Sequence, residues 1–226
     1  MGLVEPSSNL RDSLREATAQ AHDQLDSTMR AVAGWSSQAD YARFLSLQHT
    51  ARAPIEAWLA DNAPSDLVPP EQTPLIATDL EALGHTAPLA KIAFVPQGAS
   101  RIGSATGGQV DHLTRRCEAL GIAWVLAGSS LGNRAILAEI RRTAKARGWQ
   151  DWPAKFLGNE AMLAFWKRLR TELENSAEME VVEVASRAAT SVFDHFLAHA
   201  QASPGSNTVS AANGIPGHST EQGAMP

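Results

Sequence analysis

The chain of 226 residues contains one cysteine, Cys117, which excludes an intrachain disulfide and a Cys-rich metal site and fits a reducing compartment. It has no run of Lys or Arg, and its net charge of −5 argues against non-specific nucleic-acid binding. No stretch of about 18 apolar residues occurs, so no membrane span is expected. Residues 1–9 lack the apolar core of a signal peptide, and a cytoplasmic protein is expected. Gly107-Gly108 has no following Lys-Ser/Thr, so a phosphate loop is not indicated. There is no internal repeat. What remains, 44% hydrophobic and 19% charged residues, describes an ordinary globular chain.

The apolar residues recur at helical spacing almost throughout. Leu10, Leu14, Ala17, Ala21, Leu25, Met29 and Val32 stand three and four apart, and Ser7 or Ser8 would cap this first helix. A second helical stretch from about 36–40 carries Tyr41, Phe44, Leu45, Gln48, Ala51, Ile55, Trp58 and Leu59, with Pro54 expected to kink or break it. Thr73-Pro74 opens a short helix that Gly84 stops, with Thr73 as its cap. Residues 85–107 read as a long irregular connection, with His49 upstream of it taken as a surface residue. A long helix begins near Val110 and ends at Gly148, and Trp149, Trp152 and Pro153 form an aromatic loop over the core. Asn159 caps a helix with the stripe Met162, Phe165, Trp166, Leu169 and Leu173. Ser176 is expected to cap the last helix, whose stripe is Met179, Val182, Ala185, Ala189, Val192, Phe193 and Phe196. The expected architecture is all-α, with seven or eight helices in one domain over residues 8–200. A loose N-terminus (1–7) precedes it, and a disordered Pro/Gly/Ser-rich tail (201–226) follows.

Two segments stand out from this regular pattern. In the long helix, Gly128 and Gly132 lie four apart, so they share a face, and Ser129 and Asn133 lie beside them. Each interior glycine costs about 1 kcal/mol relative to Ala. Such a pair serves either close helix packing or a helix that bends and exposes its main chain to a flat ligand. In the first helix, His22 sits at the edge of the apolar stripe, between Thr18 and Met29 on one side and Arg15 and Asp26 on the other.

The segment Leu14-Arg15-Glu16-Ala17-Thr18-Ala19-Gln20-Ala21-His22-Asp23-Gln24-Leu25-Asp26 resembles the proximal helix of heme oxygenases: a Leu, then Ala-Thr, a His four beyond the Thr, and an acidic residue four beyond the His. Gly128 to Leu137 resembles that family's glycine-rich distal helix, about a hundred residues further on, as in the family. The closest likeness is to the bacterial, biliverdin-producing type found with bacteriophytochromes. The resemblance implies a heme oxygenase-like fold, with heme between the first helix and a kinked distal helix. His22 would ligate the iron. Gly128, Ser129, Gly132 and Asn133 would form the catalytic distal wall. Arg15, Thr18, Asp26, Leu126, Lys167, Arg170 and Phe196 would contact the heme, the cations meeting its propionates.

By the same resemblance the reaction cleaves heme at a meso carbon to biliverdin, carbon monoxide and ferrous iron. It uses O2 and electrons from a ferredoxin- or flavodoxin-type donor. The protein would be a monomer without nucleic-acid or membrane partners, and a bacteriophytochrome is a candidate acceptor of the biliverdin. The chain departs from the family pattern in four places. Ser129 replaces an Asp common in animal members, Asn133 replaces a second Gly, Asp26 replaces the commoner Glu, and Ala19 stands where a further basic residue is often found. Those departures leave open a non-catalytic heme binder on the same fold. Without heme, the alternatives are a helical interaction protein or, remotely, a thiamine-degrading enzyme that would need Cys117 as nucleophile.

Overall fold

The structure is a computed structural model, and it describes residues 9–32, 35–97, 109–148 and 151–202. Ser7, Ser8, Gly107, Gly108, Trp149 and the tail from Ser203, each given a reading above, lie outside the described residues. Six α-helices appear: α1 (Leu10–Val32), α2 (Gln38–Asn62), α3 (Thr73–Ala82), α4 (Gln109–Arg147), α5 (Glu160–Leu173) and α6 (Met179–Gln201), with one 3-10 turn at Ser65–Leu67. Among the described residues there is no strand, only a single bridge between Asn9 and Ser176. The protein is therefore all-α, with six helices among the described residues where seven or eight were expected for the chain. Residues 85–97 add no element, as their Pro-rich sequence predicts.

Helix α6 is the centre of the packing. It lies against α4, α1 and α2, whereas α1 and α4 make no extensive contact with each other. The reason is its composition. Ala185, Ala188, Ala189 and Val192 are fully buried, and small side chains let neighbouring helices approach closely. The closest approach is at Gly121 of α4, where a Cβ would lie 2.0 Å from the Ala185 carbonyl oxygen. Only glycine fits there. Met179, expected on the buried stripe of α6, is exposed at the start of the helix.

Several helix boundaries follow local chemistry. Asn159 caps α5 by accepting from the Met162 amide (3.0 Å), and Gly84 and Gly148 take positive φ where α3 and α4 end. Others do not follow the expectation. Asn9 caps α1, its Oδ1 accepting from the Asp12 amide at 2.9 Å. Ser176 bridges to Asn9 rather than capping α6, whose N-cap is Glu178 with no side-chain bond. Thr73 is the first residue of α3, not its cap. The Glu56 carboxylate of α2 takes that role, accepting from the amides of Gln72 (2.9 Å) and Thr73 (3.2 Å) and from the Thr73 hydroxyl (2.6 Å). A long-range carboxylate satisfies the same orphan donors that a local Thr would.

Pro54 does not break α2, which runs unbroken from Gln38 to Asn62. Burial of Tyr41, Phe44, Leu45, Ile55 and Leu59 along its length outweighs the one hydrogen bond that proline removes. α4 is also continuous through Gly128 and Gly132. Within His112–Arg147 one 18-residue window, at a mean hydropathy of 1.2, is apolar enough to cross a membrane by length and composition; half of that window is buried inside the fold, as in a core helix.

Candidate functional site

The row Leu10, Leu14, Thr18, His22, Asp26 runs down one side of α1 at four-residue spacing. Its first three members are buried, with Thr18 donating its hydroxyl to the Leu14 carbonyl (2.8 Å). At His22 the row leaves the core: the imidazole is 58% exposed. Between Thr18 and Met29, which is buried again, no residue of α1 is buried. A helix packed along its whole length buries a residue about every turn. The middle of α1 is thus thinly covered: Ala21, Leu25 and Thr28 are half-buried, with Leu25 packed against the core, while Thr18 and Met29 on either side are buried.

His22 is placed by three neighbours. Its ring meets the edge of Phe193 on α6, with centroids 6.0 Å apart. Its Nδ1 lies 3.7 Å from the Asp23 carboxylate and 3.9 Å from that of Asp26. Both carboxylates are exposed, and the spacing is longer than a direct hydrogen bond. Arg15 is exposed on the same helix.

On α4 the four residues of the glycine face have different surroundings. A Cβ at Gly128 would touch the Trp166 ring at 3.7 Å, ordinary contact, whereas a Cβ at Gly132 would meet nothing within 4 Å. Gly132 and Leu131 are exposed and Asn133 is buried. Ser129 is half-buried. Its hydroxyl donates to the Leu126 carbonyl (2.7 Å) and accepts from Arg52 Nη2 (2.8 Å). Leu126 is fully in the core. On α5, Lys167 and Arg170 are exposed, and Arg170 pairs with Glu174 at 3.1 Å.

Arg52 is the residue that the sequence reading did not single out. It is 2% exposed, and burial pulls its guanidinium down to about 10, still a cation at neutral pH. Its Nε donates to Gln48 Oε1 (3.0 Å), and it lies over the rings of Phe156 (5.1 Å) and Phe196 (5.8 Å). The signal was present: Leu45, Gln48, Arg52, Ile55 and Leu59 hold a three-four spacing, so an arginine occupies a core position of α2. Phe193 and Phe196 stand three apart on α6 and share a face. That face links His22 on one side to Arg52 and Ser129 on the other. Phe193, not Phe196, is the aromatic against His22.

A groove of about 250 Å³ between α1, α4 and α5 is lined by Leu10, Arg116, Cys117 and Glu172 among others. Burial pushes the Cys117 thiol up, and Glu180 adds to the effect, which is the reverse of what a nucleophilic cysteine needs. His195 and His199 form a buried edge-on pair with centroids 4.6 Å apart on α6, and Phe94 packs on His195. Desolvation, reinforced by His199, lowers His195 to about 4, so it is a neutral core imidazole. His49, taken as a surface residue, is half-buried with Nδ1 3.1 Å from the Pro88 carbonyl. Among the described residues no three His, Cys, Asp or Glu side chains cluster as a metal-holding group. No protein-family model matches the chain, and no curated protein matches it in sequence.

Proposed function

We propose that this chain binds heme between α1 and α4 and cleaves it oxidatively at a meso carbon, releasing biliverdin, carbon monoxide and ferrous iron. The reaction would use O2 and electrons from a ferredoxin- or flavodoxin-type protein. The observation that carries the reading is the thinly covered middle of α1, where His22 leaves the core and no residue between Thr18 and Met29 is fully buried. Half-buried apolar side chains beside an exposed histidine give a flat apolar ligand a surface to cover.

The residues present fit the group. His22 is accessible, and with its Nδ1 turned toward Asp23 and Asp26 it retains Nε2 as a nitrogen ligand. A porphyrin brings four nitrogens of its own, so one protein ligand is enough and a multi-residue metal cluster is not required. Gly132 offers main chain with open space where a side chain would stand. Heme bound here would supply both the oxygen-activating iron and the carbon framework that is oxidised.

The chain's own residues shape the distal side by what they withhold. Ser129 spends its proton on the Leu126 carbonyl and its acceptor on Arg52, so it is a poor acid. Gly128 and Gly132 have no side chain to donate. A wall with little acid–base power suits an oxidation directed at the heme edge. Propionate contact rests most simply on Arg15 and Lys167, because Arg170 is held by Glu174.

The test is to mix the purified protein with hemin, add ascorbate in air and follow the absorption spectrum. The expected result is a Soret band that forms and then bleaches as a broad red biliverdin band grows. A Soret band that persists would leave a non-catalytic heme binder. No Soret band would overturn the reading.

A further inference from the structure

Among the described residues Arg52 is a buried cation with no anion hydrogen-bonded to it. Its polar partners are neutral: Gln48 Oε1 and the Ser129 hydroxyl. The carboxylate that acts on it electrostatically, Glu56, spends both oxygens on the start of α3. Nη1 has no hydrogen-bond partner among the described residues, although it is fully removed from solvent. The Phe156 and Phe196 rings offset part of the charge but cannot accept the Nη1 protons in the plane of the guanidinium. Buried guanidinium groups are ordinarily paired with a carboxylate or phosphate.

We propose that Arg52, with Ser129 at its mouth, is a receptor for a small monovalent anion of the formate or nitrate class, set between α2, α4 and α6. The class follows from the donors: Nη1 is idle and Nη2 already donates to Ser129, so one guanidinium edge remains to be filled, which a small planar anion covers. Ser129 is half-buried, while Gln48, Phe156 and Phe196 around Arg52 are buried. A planar two-oxygen anion matches the fork of a guanidinium, taking the idle Nη1 proton and sharing Nη2 with Ser129. This does not depend on heme; it assigns a charge-receiving group to the inner end of the same helix face.

The test uses the heme-free full chain and sodium formate, with sodium gluconate at equal ionic strength as the bulky control. Formate is expected to raise the melting temperature in proportion to the logarithm of its concentration above the dissociation constant, by about 4 °C at tenfold that constant, and gluconate is not. The Arg52 Nε–H signal in a proton–nitrogen correlation spectrum is expected to shift along a saturating curve that gives the same dissociation constant. Arg52→Gln should abolish both effects, whereas Arg168→Gln, a surface change, should leave both. If Arg52→Gln does not fold, Ser129→Ala takes its place, with formate affinity weakened several-fold. A flat Arg52 Nε–H signal in the wild-type protein overturns the proposal whatever the variants do. Hemin titration of the same samples keeps the two readings apart: hemin binding without a formate response sinks only the anion site, and a formate response without hemin binding sinks only the heme reading.

Discussion

Gly121 and Gly132 stand about three turns apart on α4. At Gly121 the α6 backbone is so close that a Cβ would overlap the Ala185 carbonyl; at Gly132 a Cβ would meet nothing. The same residue type therefore serves two ends on one helix. At the first position glycine permits α4 and α6 to pack, and the requirement is structural. At the second no neighbour among the described residues requires it, and the main chain there is left open. His195 of α6 and His22 of α1 differ in the same way. His195 is sealed among Phe94, His199 and α2, whereas His22 is open.

The sharpest way to break this contrast is Gly121→Ala. Its Cβ has no space against backbone, so the helices must part, at a cost of about 3–5 kcal/mol in urea unfolding. A cost below about 1 kcal/mol would show that the α4–α6 contact is loose.

Next in size is the effect of pH on the sealed histidine. His195 has a folded value near 4, below the unfolded 6.5, so the unfolded chain binds more protons between them. Stability from this group is present above about pH 6.5 and is lost as the pH falls toward 4, by roughly 3 kcal/mol. His199 is shifted in the same direction. Urea unfolding across that range should show the slope, and His195→Gln should flatten it. An unchanged slope would place the acid sensitivity elsewhere.

Gly132→Leu should leave stability unchanged or raise it by up to about 1 kcal/mol, since it gains helix propensity and meets no neighbour. Hemin turnover should fall at least about tenfold, a barrier increase of about 1.4 kcal/mol. Normal turnover would remove Gly132 from the proposed site. Smallest in stability is His22→Ala, within about 0.5 kcal/mol because the side chain is exposed. It should nevertheless abolish the native hemin spectrum, and a normal Soret band in this variant would dismiss His22 as the ligand.

Much of the helical layout was legible. Helix periodicity and the Asn159 cap depend on residues within a few positions of each other, and they were read directly. The failures share one cause. Thr73 looked like a cap, but a carboxylate from α2 reaches the same amides. Pro54 marks a kink or a break by sequence, but α2 is not broken there and is held along its length by buried residues. In the candidate site, His22 and the Gly128–Asn133 face were visible as departures from a regular stripe. Arg52 was overlooked although it stands at a core position, because a cation in such a row acquires meaning only when its partner is known.

The sequence by itself determined that the protein is helical, which faces of most helices are apolar, and that two segments depart from that pattern. These are local properties, set by a 3.6-residue period and by single residues such as Gly84, Gly148 and Asn159. The tertiary structure alone decided that Gly121 is a packing glycine and Gly132 an open one, that Glu56 starts α3, and that Arg52 meets Ser129 from 77 residues away. Each depends on which distant surfaces are brought together, and side-chain spacing along one helix carries no record of what lies opposite it.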